Sequence, residues 1–171
     1  MTYLILRLAT LGNVAMTVPV IASLSRRYSN DRFVVASKKD LASMFASMPN
    51  VEFREVDNHI DWKGIFALWR SWRDEIDGVI DLQDLPRTRA FDALMWLSGK
   101  RVTRVHYGRF RKHLITKLGI CKHTLPTEFD RYRDAFRRAG LETDEAFEAI
   151  PTNSAAAKKV KERFGDKDGR W

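Results

Sequence analysis

The sequence predicts an α/β fold, a doubly wound parallel sheet of Rossmann-like type with helices on both faces. Three observations predict it. Short apolar runs of strand length alternate with stretches whose apolar residues recur at helical spacing. The first run, Tyr3-Leu4-Ile5-Leu6-Arg7-Leu8, is almost continuously apolar, as in a strand buried on both faces. The chain has 171 residues, the size of one domain and enough to bury a core. At 44% apolar and 30% charged, with 9 Gly and 5 Pro, it is neither disordered nor fibrous.

After the first strand comes a loop, Ala9–Asn13, and a helix with Val14, Val18, Ile21 and Ser25 on one face and Arg26 and Arg27 near its C-terminus, where cations suit the helix dipole. Arg32–Ser37 is a second strand. Lys38–Met48 is a short helix ended by Pro49-Asn50, and Val51–Asp57 is a third strand with imperfect alternation. Trp62, Ile65, Trp69, Trp72 and Ile76 share a helix face, which reads as a packing face in preference to a sugar-stacking platform. Gly78–Leu82 is a fourth strand, Arg87–Leu97 a helix and Arg101–Tyr107 a fifth strand. Phe129, Tyr132 and Phe136 stripe a further helix, with Thr127 as N-cap, Asp130 three residues on and Gly140 as its stop. Glu142–Asn153 looks like a boundary before a last helix over Ser154–Phe164. Alternating short strands and helices give parallel pairing with right-handed crossovers.

The single cysteine, Cys121, excludes a disulfide framework and a multi-Cys zinc site, and His106, His113 and His123 lack the carboxylate or Cys pattern that would complete a metal site. No metal and no cofactor are expected. Met1–Leu6 has no basic segment ahead of its apolar run, and Arg7, Gly12-Asn13 and Pro19 break up the apolar residues beyond it, so neither a signal peptide nor a membrane span is expected. The reading is cytoplasmic, with peripheral contact at the inner membrane.

In folds of this class ligands sit at the C-terminal ends of the strands. The first loop, Leu8-Ala9-Thr10-Leu11-Gly12-Asn13, is therefore the place to look. It has one glycine, and the chain has neither G-x-G-x-x-G nor G-x-x-x-x-G-K-[ST], which argues against dinucleotide and P-loop sites. The loop still leads into a helix N-terminus that favours an anion or a polar group, with Asn13 suited to be the N-cap.

Arg7-Leu8-Ala9-Thr10-Leu11-Gly12-Asn13-Val14, continuing into Thr17-Val18-Pro19, resembles the opening of the family-nine glycosyltransferases, the ADP-heptose:lipopolysaccharide heptosyltransferases. Val79-Ile80-Asp81-Leu82-Gln83 with Arg87-Thr88-Arg89 resembles a second family segment, and Phe129-Asp130-Arg131-Tyr132 with Gly140-Leu141 a third. The resemblance runs from Tyr3 to about Leu141. It implies the N-terminal half of a GT-B enzyme, with an acceptor-binding domain over residues 1–153 and an interdomain helix over residues 154–171 leading to a donor domain. Transfer in the family is inverting and metal-independent, from a nucleotide sugar to an anionic inner-core sugar on lipid A. The chain has roughly half the family length, stops at Gly169-Arg170-Trp171, and is read as an isolated acceptor half, inactive alone and prone to self-association through an interdomain face to which Trp171 contributes.

One departure matters. Resemblance places the family's catalytic Asp, the base on the acceptor hydroxyl, at Asn13, and a neutral amide cannot take that proton. Loss of activity, engineered inactivation and a base relocated to Asp81 or Asp84 all stay open; strand-end capping is the plainer role for those two.

The formal charge is +8, and it is concentrated. Residues 99–123 carry no acid and eight basic residues, Lys100, Arg101, Arg104, Arg109, Arg111, Lys112, Lys117 and Lys122, leaving 22 basic and 22 acidic residues elsewhere. This run, with Thr10, Leu11, Gly12, Arg87 and Arg89, is expected to form an acceptor face gripping phosphate or carboxylate and leaning on an anionic leaflet. Arg87 and Arg89 read equally well as partners in helix N-terminal salt bridges. The competing readings are a nucleic-acid-binding domain, for which no helix-turn-helix, zinc-finger, RNP or KH signature is present, and a non-catalytic interaction module.

Overall fold

The computed structural model describes residues 1–57, 60–107, 126–144 and 154–165. Five strands, β1 (Thr2–Leu6), β2 (Arg32–Ser37), β3 (Val51–Glu55), β4 (Gly78–Asp81) and β5 (Arg101–Arg104), form one sheet in the order β3-β2-β1-β4-β5. Every pairing is parallel, with Leu6 level with Ala36 on one side and Asp81 on the other. The order reverses at β1, so the switch point lies between β1 and β4.

Alternation along the central strands explains why both faces must be covered. Ile5, Phe33, Val35 and Ile80 point to one face, where they pack with Val14, Val18, Ile21, Leu24, Tyr132 and Phe136. Leu4, Leu6, Val34, Ala36 and Val79 point to the other, against Ile65, Trp72, Phe91 and Met95. The first face is therefore covered by α1 (Leu11–Ala15), α2 (Val18–Arg27) and α5 (Glu128–Arg138), the second by α3 (Trp62–Trp72) and α4 (Pro86–Leu97). A sixth helix, α6, spans Ser154–Phe164 as the sequence predicts, and Val160 and Phe164 on it are exposed. No described helix is long and apolar enough to cross a membrane.

Four local differences from the sequence reading have physical causes. The first helix is two helices, because Pro19 has no N–H and its ring would collide with the Ala15 carbonyl. Pro19 falls in the first turn of α2, and the Thr17 hydroxyl donates to the Val14 carbonyl at 2.7 Å across the break. The stretch after β2 is a 3₁₀ helix, Lys39–Met44, held by tight three-residue bonds such as Leu41 N–H to Lys38 O (3.1 Å), and the turns from Phe45 to Met48 continue that style. The third and fifth strands stop at Glu55 and Arg104, short of their apolar runs, where their neighbours β2 and β4 also end. The tryptophan stripe divides along α3: Trp72 is buried against Phe91, whereas Trp62 is 70% exposed.

The fourth helix stops at Gly99 and the fifth at Gly140, both with positive φ (79° and 84°), where a side chain would be strained. The N-terminus of α5 carries the reciprocal cap expected of it: Asp130 N–H donates to Thr127 Oγ1 (3.2 Å) and Thr127 N–H to Asp130 Oδ2 (2.9 Å). The Thr127 hydroxyl, donating to Oδ2 at 2.7 Å, and then the Thr127 N–H hold the Asp130 carboxyl below its ordinary range. Thr127→Ala should lower stability by about 1 kcal/mol in a urea titration, as loss of an N-cap does, and an unchanged midpoint would show that the cap is idle.

Candidate functional site

The first, second and fourth strands end at one edge of the sheet, and the segments after them meet there. Arg7 is the first residue after β1 and is 5% exposed. Its Nη1 donates to the Leu82 carbonyl (2.7 Å) and to the Tyr107 hydroxyl (2.6 Å), and that hydroxyl donates in turn to the same carbonyl (2.7 Å). Its guanidinium lies over the Tyr132 ring at 5.3 Å and reaches Glu128 at 3.9 Å. Burial raises the Tyr107 and Tyr132 hydroxyls above the ordinary phenol range, so both stay neutral. The Arg7 carbonyl accepts from the Ser37 hydroxyl at 2.7 Å. One side chain thus joins the ends of β1 and β4 to α5 and to the segment after β5.

The loop beyond it is open. Leu8 and Ala9 are half-buried; Thr10, Leu11, Gly12 and Asn13 are exposed. The N-cap of α1 is Thr10, in extended conformation and without a side-chain cap bond, and not Asn13. Helical geometry begins at Leu11, so Asn13 already lies within the helix and its amide turns outward, donating to Thr10 Oγ1 at 3.2 Å. A Cβ added at Gly12 would meet nothing within 4 Å, so no close packing imposes glycine there. The residues sequence reasoning grouped as Thr10, Leu11, Gly12 and Asn13 do form one exposed edge.

Beneath β4, Asp81 is fully buried. It accepts from the N–H groups of Gln83 (2.7 Å) and Asp84 (3.1 Å) and from the Thr88 hydroxyl (2.7 Å). Those bonds close the turn into α4 and leave Asp81 with a capping role. Asp84 has φ of 50° and accepts from Arg89 Nε at 2.7 Å. Arg89 is therefore a salt-bridge partner near the start of α4. Arg87 is exposed at the same edge. Asp92, also fully buried, accepts from Arg104 Nε at 2.7 Å. Burial, then the charge of Asp81, pushes the Asp92 carboxyl up to about 7.

The three described residues of the basic run, Lys100, Arg101 and Arg104, do not share one face. Lys100 and Arg101 stand at the start of β5, level with Gly78 and Tyr3, at the opposite edge of the sheet from the loop. Parallel strands put the first and last residues of β5 at opposite edges, so only Arg104 reaches the loop side, and its side chain is committed to Asp92. Arg109, Arg111, Lys112, Lys117, Lys122, His113, His123, Cys121 and Trp171 lie outside the described residues. Among the described residues there is no cluster of three or more His, Cys, Asp or Glu side chains placed to hold a metal. Sequence reasoning missed a cavity of about 420 Å³ between α3 and the first turns of α4, which opens at the same edge beside Leu8, Leu85 and Arg87. Its signal was in the sequence only as apolar residues that read as core.

A parallel sheet in this order, with an open loop at its switch point, defines a Rossmann-like domain. The fold is that of the family-nine heptosyltransferases. The chain superposes on a family-nine glycosyltransferase from Veillonella parvula with a TM-score of 0.63 at 19% identity, over 98% of this chain and 51% of that one. It superposes on ADP-heptose lipopolysaccharide heptosyltransferase II of E. coli with a TM-score of 0.61 at 17% identity, over 99% and 52%, and on the E. coli heptosyltransferase WaaC, solved with ADP, at 0.58, 18% identity, 85% and 49%. In sequence it is 25% identical over 80 residues to the lipopolysaccharide core heptosyltransferase OpsX of Haemophilus influenzae, covering 46% of this chain and 23% of that protein. No family model matches the chain. The chain thus spans about half the length of the solved relatives.

Arg7→Met removes a buried guanidinium from its acceptors, and should cost about 2–4 kcal/mol by chemical denaturation; Arg7→Lys, a point charge without the fork, should recover less than half of that. A loss under about 0.5 kcal/mol, the size of an ordinary surface change, would show that the cluster is dispensable. For Asp92 the sign is set by its raised value. Below about pH 4 the carboxyl is protonated in folded and unfolded chains alike. Above that the unfolded chain ionises freely while the fold resists, so stability falls between about pH 4 and about pH 7, by up to roughly 4 kcal/mol. Asp92→Asn removes the penalty, and its melting temperature relative to the native chain should be higher at about pH 8, above that window, than at about pH 4.5, near its lower end. An equal difference at both values would refute the assignment.

Proposed function

We propose that this chain is the acceptor-binding half of a heptosyltransferase-like glycosyltransferase of lipopolysaccharide biosynthesis. Residues 1–153 form the acceptor domain, and residues 154–171 lead toward a donor-binding half. The observation that carries the reading is the coincidence of sequence similarity to a core heptosyltransferase with a fold match confined to about half of the solved family members. The acceptor is an anionic inner-core glycolipid presented at the inner leaflet, and the domain meets it peripherally from the cytoplasmic side. The nucleotide sugar, an ADP-linked heptose in relatives, belongs to the other half.

The acceptor edge is Thr10, Leu11, Gly12, Asn13, Arg87 and Arg89, with Arg104 behind it. Asn13 stands where the resemblance places the base. Its amide donates and accepts hydrogen bonds, so it orients an acceptor hydroxyl without removing its proton. Asp81 is not a substitute base, because its oxygens already hold the turn into α4. The chain therefore binds acceptor and does not by itself transfer sugar.

The test is a titration with vesicles carrying lipopolysaccharide inner core, and in parallel with duplex DNA, each at two salt concentrations. Saturable binding to the glycolipid vesicles, weakened by salt and absent from neutral vesicles, is expected. Tight DNA binding without glycolipid binding would reject the proposal in favour of a nucleic-acid domain. Turnover of ADP-heptose by this chain alone would also overturn it.

A further inference from the structure

We infer that the cavity between α3 and α4 is a binding pocket for one alkyl chain of an anionic amphiphile, whose head lies at the loop edge beside Arg87. Three features carry this. The walls are hydrocarbon: Leu6, Leu8, Val56, Ile65, Leu68 and Phe91 face the space, with Trp72 behind them. Its volume, about 420 Å³, falls within the range of small-molecule sites. Apart from the Trp72 indole, the polar side chains of the lining are Gln83, Arg87 and Thr88, in the turn into α4 and its first turn, and no acidic side chain is among the lining residues. Apolar walls with a cationic end fit a ligand with an apolar tail and an anionic head.

The position adds to this. Leu8 belongs both to the pocket wall and to the open loop that ends at Asn13, so a tail seated in the pocket sets its head within that edge. Leu85, another wall residue, is 42% exposed, and Leu11 on the loop is more exposed still. An apolar rim of this kind guides a chain out of a lipid surface. The inference rests on the proposed acceptor edge and extends it from the sugar to the hydrophobic portion of the ligand.

The experiment uses the whole chain with octyl, decyl and dodecyl phosphate below their micelle concentrations, and inorganic phosphate as the head alone. Calorimetry should give one site, with affinity rising roughly fourfold per methylene until the pocket is full. Methyl NMR signals of Leu8, Ile65 and Leu68 should shift together. Leu68→Trp, which fills the space, should weaken dodecyl phosphate at least tenfold. Leu85→Ser, at the exposed rim, should weaken it severalfold while the melting temperature stays near that of the native chain. Arg87→Gln should weaken dodecyl phosphate severalfold and leave dodecanol unchanged.

No dependence on chain length, a response to inorganic phosphate equal to that of the alkyl phosphates, or binding only above the micelle concentration would overturn the inference. Adding vesicles of the inner-core glycolipid identifies the source: the same methyl shifts assign the tail to the glycolipid, and their absence beside a clear alkyl phosphate response assigns it to a free amphiphile. Glycolipid binding with no alkyl response sinks the pocket alone. An alkyl response with no glycolipid binding sinks the proposed function alone.

Discussion

A guanidinium placed where water does not reach constrains the whole C-terminal edge of the sheet. Taking a cation out of water is costly, and the cost is met only when donors and faces are matched. Arg7 Nη1 is matched by the Leu82 carbonyl and the Tyr107 hydroxyl, and the guanidinium as a whole by the Tyr132 ring and the Glu128 carboxylate, while its Nε has no hydrogen-bond partner among the described residues. These partners come from three separate parts of the chain. The strand ends cannot shift relative to α5 without stranding the charge. The loop from Leu8 to Asn13 can therefore stay open: its root is fixed by Arg7, and it needs no packing of its own at Gly12.

The other face of the same edge is organised around a second buried polar set. Asp81 closes the turn after β4 by accepting from two backbone N–H groups and Thr88, and Asp92 sits behind it with Arg104 as counter-ion. Burial, and then the charge of the neighbouring Asp81, makes ionisation of Asp92 costly, which is why its carboxyl is raised. The two sets divide the work. Arg7 ties β1 to α5 on one face, and the Asp81 set ties β4 to α4 and β5 on the other.

Much of the sheet was legible in the sequence because burial on both faces demands uninterrupted apolar runs, and β1, β2 and β4 have them. Helix ends were legible where a residue type has one mechanical use, as at Thr127 with Asp130 and at Gly140. The start of α1 was not, since Asn13 and Thr10 are both good caps and only the backbone decides between them. The described part of the basic run divides for a geometric reason. Residues adjacent in sequence lie at opposite edges once a strand runs between them, so Lys100 and Arg101 part from Arg104. The cavity was invisible because a pocket wall and a core contact use the same residues, and Ile65 and Phe91 serve as both.

Charge at this edge is largely spent on the scaffold. Arg7 faces Glu128, Arg89 faces Asp84 and Arg104 faces Asp92, each pair holding a turn or a helix in place. A cation that is already paired contributes little net field to an incoming anion, because its partner carboxylate sits within a few ångströms and cancels it at longer range. The net charge of +8 therefore overstates what these described cations offer a ligand. In the proposed reading, recognition at the edge draws on neutral hydrogen-bonding groups such as Thr10, Asn13 and Gln83 and on apolar area. Neutral donors and acceptors select a geometry without demanding a charge, and apolar area adds affinity that salt does not screen. The proposed hydroxyl-bearing, amphiphilic ligand suits an edge built in this way better than a bare polyanion does, which is the physical reason the charge count alone pointed too broadly.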